Sequence, residues 1–115
     1  MSFSRLLSII ALYSIQREKT VPAYAIVRAT ITDPERFKDY ASRTPALLAK
    51  HGAKFLVRGG DIDTLEGETE TRRIVVIEYE SREKALEFYH SEEYAELLAI
   101  MKEAGTREFI VVDGV

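Results

Sequence analysis

The chain of 115 residues contains no cysteine and only two histidines, His51 and His90. The absence of cysteine excludes disulfide bonds, thiolate metal sites and a cysteine nucleophile. Two histidines are too few for a histidine-rich metal site within one chain, although carboxylate ligands are still available. We therefore expect no metal and no other resident cofactor. The lack of cysteine is also compatible with the cytoplasmic location that we expect.

Runs of basic residues are also missing, and the formal net charge is -3. Proteins that bind nucleic acid neutralise phosphates with clustered Lys and Arg, so a nucleic-acid partner is not predicted. No membrane-spanning segment is predicted either, because a helix needs about 20 consecutive apolar residues to cross a bilayer. The composition, 46% apolar and 30% charged, is typical of one globular domain with its own core.

The first 21 residues differ from the rest, because an apolar segment over residues 6–15 follows Arg5. No small-x-small cleavage site precedes Val21, which argues against a signal peptide. The segment fits an amphipathic helix or a dispensable extension, and we expect both together: an extension over residues 1–21 that becomes helical on an apolar surface. The domain proper is predicted to cover residues 22–115. The positions that share one helical face are Leu6, Ile9, Ile10 and Tyr13.

A first strand is predicted at residues 24–31, which are rich in β-branched and aromatic side chains. Asp33 is typical of an N-cap and begins a helix. Pro45, inside this helix, predicts a kink or a break in the preceding turn. His51 and Gly52 are typical of a helix end, where His51 would act as a capping cation; the alternative is a general base at a pocket rim.

The second half of the chain predicts strands at residues 53–58, 72–80 and 107–112. Ser81 and Ser91 each begin a helical segment, and Gly105 ends the second of them. The order is therefore β-α-β-β-α-β. This order is typical of the ferredoxin-like α+β fold, an antiparallel sheet with its helices on one face.

The predicted strands are apolar on both faces of the sheet. In the third strand, Val75 and Ile77 lie on one face, and Ile74 and Val76 on the other. An uncovered apolar face of several hundred Å² is rare on a stable monomer. We therefore predict a homodimer, in which a second copy covers this face through a two-fold axis. The alternative cover is the N-terminal extension.

Several segments resemble a bacterial family known as domain of unknown function 1330, over residues 22–115. The family is similar to the dimeric α/β-barrel superfamily, in which two ferredoxin-like sheets pack into a barrel. The resemblance therefore implies a homodimer but no established reaction, since superfamily members include monooxygenases without metal or flavin, isomerases, haem-degrading enzymes and dehalogenases. Residues 1–20 depart from the family pattern. The segments that carry the resemblance are Val-Pro-Ala-Tyr-Ala-Ile at 21–26, Thr-Asp-Pro-Glu at 32–35, Tyr40, Phe-Leu-Val-Arg-Gly-Gly at 55–60, Leu-Glu-Gly at 65–67, Arg-Ile-Val-Val-Ile-Glu-Tyr at 73–79 and Phe-Tyr-His-Ser-Glu-Glu-Tyr at 88–94.

Two charged residues within apolar strands are candidates for a functional site. Arg58 ends the second strand before two glycines, and its guanidinium could grip a carboxylate or an enolate at a pocket mouth. The alternative is an ion pair with a structural acid. Glu78 lies in the third strand, where burial would raise its pKa towards the range useful for a general acid or base. The alternative is a salt bridge with Arg28, Arg58 or Arg73, or an exposed edge position.

Tyr40 and Tyr89 lie on the inward stripes of the predicted helices, as does Tyr94. Such stripes usually belong to the core, but a hydroxyl at a pocket can orient a ligand. We assign Tyr40, Arg58 and Tyr89 to substrate binding and Glu78 to proton transfer. The sequence thus predicts a homodimeric α/β-barrel protein that binds a small carboxylated or aromatic molecule between helices and sheet, with cofactor-independent catalysis left open. The alternative is a non-catalytic dimeric module.

Overall fold

Four strands form one antiparallel sheet in the order β2-β3-β1-β4. The structure, a computed structural model, describes residues 21–115. The predicted ferredoxin-like fold is confirmed, and its second helical unit consists of two helices. In chain order the elements are β1 (Ala23–Ile31), α1 (Pro34–Lys50), β2 (Lys54–Arg58), β3 (Arg73–Tyr79), α2 (Arg82–Tyr89), α3 (Glu92–Ala104) and β4 (Gly105–Asp113).

The predicted N-terminal extension, with its amphipathic helix, lies outside the described residues except for Val21. Among residues 21–115, no helix combines the length and the hydropathy that crossing a membrane requires.

Each helix begins at a side-chain cap. The predicted cap Asp33 accepts a hydrogen bond of 3.1 Å from the backbone N–H of Arg36. Ser81 and Ser91 accept bonds of 3.1 Å from the N–H groups three residues further on. These bonds satisfy donors that have no partner within a helix, which explains why the helices begin at these residues.

Of the kink or break predicted near Thr44, the break is wrong, because helix α1 runs continuously through Pro45. Tyr40, Thr44 and Leu48 all lie on the buried face of this helix. Packing of that face against the core holds both halves of α1 in place, because tertiary contacts outweigh the intrinsic cost of a proline. The Thr44 hydroxyl also donates a 2.6 Å hydrogen bond to the Tyr40 carbonyl, within the turn before the proline.

The helices pack on one face of the sheet, the inner face. In β1, Ala25, Val27 and Ala29 are buried there, whereas Ile26 and Arg28 between them are half-buried on the opposite, outer face. This alternation is the period of two that an extended strand imposes.

The outer face of the sheet carries a continuous apolar row. The strand registers place Val57, Val76, Ile26 and Ile110 side by side across all four strands. Ile110 is 54% exposed and Val57 is 40% exposed. Both faces of the sheet are therefore apolar, as the sequence pattern indicated, and none of the three helices packs on the outer one.

Candidate functional site

A narrow cavity lies between the inner face of the sheet and the helices, with a volume of about 40 Å³. Its walls are mostly apolar, since inward side chains of the four strands meet those of the helices. The aromatic residues among them are Phe37, Tyr40, Phe55, Phe88, Tyr94 and Phe109.

Three arginines, Arg58, Arg73 and Arg107, line this cavity, and no acidic side chain does. The strand registers pair both Arg73 and Arg107 with Ala29, so the two arginines flank this alanine in a single row across β3, β1 and β4. Within residues 21–115, none of the three forms a salt bridge. The positive charge in the cavity is therefore not balanced by a carboxylate of the described chain.

Arg58 and Arg73 are held by carbonyl oxygens and aromatic rings. The Arg58 guanidinium donates a 2.8 Å hydrogen bond to the Ala41 carbonyl and lies 4.5 Å from the centre of the Phe55 ring. Arg73 donates a long hydrogen bond of 3.4 Å to the Arg58 carbonyl. Its guanidinium lies 5.2 Å from the centre of the Phe37 ring, which places it within range of a cation–π interaction. The Arg73 Nε is buried without a hydrogen-bond partner among the described residues.

Arg107 is held by two tyrosine hydroxyls. Its Nη1 donates to the Tyr40 hydroxyl at 3.2 Å, and its Nη2 donates to the Tyr94 hydroxyl at 2.7 Å. The two hydroxyls are themselves 2.7 Å apart, within hydrogen-bond distance. Burial works against the charge on Arg107, but the two phenol oxygens outweigh that effect and raise the pKa of its guanidinium. Arg107 therefore stays positively charged inside the protein.

The cavity contains donors for an anion but no evident proton acceptor. Neither a carboxylate nor a histidine lines it. Burial raises the pKa of Tyr94, so its hydroxyl keeps its proton near neutral pH. The arrangement can bind a negatively charged oxygen, or stabilise one that forms during a reaction, but it does not present a general base of its own.

The structure brings together two of the predicted site residues, Tyr40 and Arg58, in this cavity. Tyr89 does not line the cavity and instead lines a neighbouring cleft. The cleft is lined by Tyr89, Leu98, Met101, Lys102, Gly105, Thr106, Arg107 and Phe109.

Glu78 lies on the outer face, away from the cavity and the other site residues. The strand period explains this difference, because its neighbours Ile77 and Tyr79 are the buried, inner residues of β3. Lys54, on the adjacent strand, forms the ion pair with Glu78 at 3.4 Å, and not one of the three arginines considered from the sequence. His51 is the C-cap of α1 and its ring packs edge-to-face on Phe88 at 5.4 Å.

Arg73 and Arg107 belong to the site but were not predicted from the sequence. Each begins an alternating series of inner residues: Arg73 precedes Val75 and Ile77, and Arg107 precedes Phe109. Extending the inner apolar positions of each strand back by two residues would have found both.

Metal binding has no obvious location in the described residues. No group of three or more His, Asp or Glu side chains within residues 21–115 is arranged to hold an ion.

Comparison with known proteins identifies the family of the chain and several solved structures with a similar fold. The family model described as "Domain of unknown function (DUF1330)" matches residues 22–115. No curated protein sequence matches the chain significantly.

Among solved structures, a protein of unknown function from Rhodopseudomonas palustris is 14% identical and superposes with a TM-score of 0.68, over 91% of this chain and 92% of that chain. A hypothetical protein from Arabidopsis thaliana is 16% identical, with a TM-score of 0.62 over 85% of this chain and 92% of that chain. A variant of SnoaB, a cofactor-independent oxygenase from Streptomyces nogalater, is 12% identical, with a TM-score of 0.60 over 83% of this chain and 94% of that chain. At these identities the likeness shows the fold alone.

Proposed function

The chain belongs to the DUF1330 family of domains of unknown function, and from the geometry of its cavity we propose that it binds a small organic anion. The carboxylate or enolate oxygen of this ligand would contact the guanidinium groups of Arg58, Arg73 and Arg107. One observation carries the proposal: three arginines converge on an apolar cavity that no acidic side chain lines.

Burying an unpaired charge inside a protein costs free energy. A partly buried cation without a counter-ion loses hydration that neutral carbonyls, hydroxyls and rings replace only in part. Arg73 shows this incomplete replacement, because its Nε is buried and has no partner among the described residues. An incoming carboxylate would supply both the missing charge and the missing acceptor, in the paired geometry that guanidinium groups favour.

The rest of the cavity favours a ligand with an apolar body. Aromatic and aliphatic side chains surround the three arginines, so a lipophilic acid can bury carbon surface there while its anionic group is neutralised. A nucleotide or another polyanion is a poor fit, because the apolar walls offer few hydrogen bonds to its remaining polar groups.

Catalysis is the second candidate function. Arg107 and the Tyr40 and Tyr94 hydroxyls could stabilise negative charge that develops on a substrate oxygen, as preorganised donors do in enzymes. The fold is shared with SnoaB, a cofactor-independent oxygenase, and this likeness supports catalysis without a bound cofactor. Since no carboxylate or histidine lines the cavity, such a substrate would have to arrive already ionised or lose its proton to solvent.

We also propose that the outer face of the sheet pairs with a second copy of the chain. The support is the apolar row of Val57, Val76, Ile26 and Ile110, which crosses the whole sheet and ends in exposed side chains. Two copies of this row can pack against each other about a two-fold axis. Removing the apolar side chains from water in this way is energetically favourable. A non-catalytic dimeric module is the rival function, and it requires only this face and not the cavity.

Binding of simple carboxylates tests the proposal directly. Amide and arginine side-chain NMR signals of the full chain would be followed during titration with acetate, benzoate and biphenyl-4-carboxylate. We expect at least one acid to shift the signals of Arg73 and Arg107. The variants Arg73→Gln and Arg107→Gln should each weaken binding by about tenfold, because each removes one charged partner of the anion.

Arg82→Gln is the matched control, since Arg82 undergoes the same change of charge but pairs with Asp113 outside the cavity. Its affinity for the same acid should stay close to that of the wild type. If no acid shifts the cavity signals, or if all three variants bind equally well, the arginines have a structural role and the rival module is favoured.

A further inference from the structure

The cavity is too small to enclose an organic acid. A single water molecule needs roughly 10–15 Å³ when space is measured by a water-sized sphere. The volume of about 40 Å³ therefore admits a group of a few atoms, such as a carboxylate. Pockets that hold a complete small ligand usually have volumes of about 300–1,000 Å³. The rest of the ligand must therefore lie in an adjoining space.

The cleft lined by Tyr89 and Leu98 adjoins the cavity and is large enough. It has a volume of about 530 Å³ and shares Met101, Arg107 and Phe109 with the cavity. A second groove, between α1 and α3, has a volume of about 400 Å³ but shares no lining residue with the cavity. The space next to the cavity is therefore the cleft at the edge strand β4, and Arg107 lines both cleft and cavity.

We propose that this cleft holds the organic body of the ligand while its anionic group reaches Arg107 and the cavity beyond. The inference rests on the proposed function and specifies its ligand as an elongated aryl or alkyl acid with the charge at one end. Tyr89 packs edge-to-face on Phe109 at 5.3 Å, which gives the cleft a continuous aromatic wall leading towards Arg107. Lys102 adds a second cation, and no acidic residue lines the cleft.

Two acids that differ only in length can distinguish binding in the cleft from binding in the cavity. Benzoate would keep its single ring at the boundary beside Arg107, whereas biphenyl-4-carboxylate would extend a second ring into the cleft beside Leu98. We expect calorimetry on the full chain to show that the longer acid binds about tenfold more tightly, because the added ring buries apolar surface. The variant Leu98→Trp should fill the cleft and abolish this gain, while the affinity for benzoate changes by less than about twofold.

The variant Ala46→Trp is the matched control, because it places the same indole side chain in the separate groove between α1 and α3. It should leave the affinities for both acids unchanged. Equal binding of the two acids to the wild type, or an equal response of Leu98→Trp and Ala46→Trp, would overturn the inference but leave the proposed function standing. If neither acid binds the folded wild type, the proposed function itself fails.

Intermolecular NOEs in the wild-type protein provide a test that does not depend on the folding of a variant. The distal ring of biphenyl-4-carboxylate should show NOEs to the Leu98 methyl groups and to the Tyr89 ring. NOEs from that ring to Ile110 or Val76, on the outer face, would instead overturn the assignment of the cleft.

Discussion

The Arg58 guanidinium donates a 2.8 Å hydrogen bond to the carbonyl oxygen of Ala41, in the middle of helix α1. In a regular helix this carbonyl accepts from the N–H of the residue four positions later. That residue is Pro45, which has no N–H to donate. The proline thus frees a carbonyl within the helix, and this carbonyl fixes one of the three cavity arginines.

Replacement of Pro45 by alanine should stabilise the protein while loosening Arg58. Alanine restores the helical N–H and has a much higher helix propensity than proline, so we expect the free energy of unfolding in urea to rise by about 1–2 kcal/mol. The Ala41 carbonyl would then be shared, and affinity for benzoate should fall a few-fold. Pro34→Ala, at the first turn where no helical bond is lost, is the control and should change stability by no more than about 0.5 kcal/mol. A less stable Pro45→Ala protein would contradict this account.

The hydroxyl of Tyr94 should contribute measurably to stability. It bonds to both Tyr40 and Arg107, and Tyr94 is 0% exposed. Tyr94→Phe leaves those partners short of an acceptor, so we expect a loss of about 1–3 kcal/mol in urea unfolding. Tyr24→Phe, on the half-exposed outer face, is the control. If both variants lose the same free energy of unfolding, the hydrogen bonds of Tyr94 to Tyr40 and Arg107 do not contribute to stability.

Gly59 and Gly67 both have a positive φ, but only Gly59 lies against Arg73, so alanine variants of the two can show what displacing Arg73 does. Gly59 has φ +72° and a Cβ there would overlap the Arg73 guanidinium, whereas Gly67 has φ +87° and a Cβ there would have no other atom within 4 Å. Both Gly→Ala variants should lose about 1 kcal/mol through backbone strain. Gly59→Ala should also displace Arg73 and weaken benzoate binding by several-fold, as calorimetry would show. Equal affinities in the two variants would mean that Arg73 does not hold the anion.

Local signals explain why the fold could be predicted while the site could be predicted only in part. Caps such as Asp33 depend on the chain within a few residues, and the helical stripe that contains Tyr40 is likewise local. Glu78 shows the limit: in a strand that is apolar on both faces, the pattern does not say which face a single charge occupies. Arg73 and Arg107 come to flank Ala29 only through the pairing of β1 with β3 and β4, and a linear sequence does not display these registers.

Glu70 should make stability depend on pH in the acid range. Hydrogen bonds from Arg72 lower the pKa of its carboxyl from 4.5 to about 2. Because the folded pKa is the lower one, this stabilisation is complete above pH 4.5 and is lost as the pH falls towards 2. We expect Glu70→Gln to lower the melting temperature at pH 7, and the difference from the wild type to disappear near pH 2.

Glu68→Gln provides the control for this effect, since Glu68 lies two residues away on the same connection and forms no ion pair within residues 21–115. Its melting temperature should follow that of the wild type at every pH. A Glu70→Gln difference that stays constant from pH 7 to pH 2 would show that lost packing, and not the carboxylate charge, is responsible.

The proposed dimer can be tested at Ile110, which lies at the end of the apolar row on β4 and is 54% exposed. A lysine at this position places a charge against the partner sheet without disturbing the inner core, so we expect sedimentation equilibrium to show a folded monomer for Ile110→Lys. Leu86→Lys is the control, because Leu86 is similarly exposed, at 48%, but belongs to α2 on the other side of the sheet. It should remain a dimer. A wild-type protein that sediments as a monomer at micromolar concentration would refute the pairing, since the exposed row would then be stable in water without a second copy.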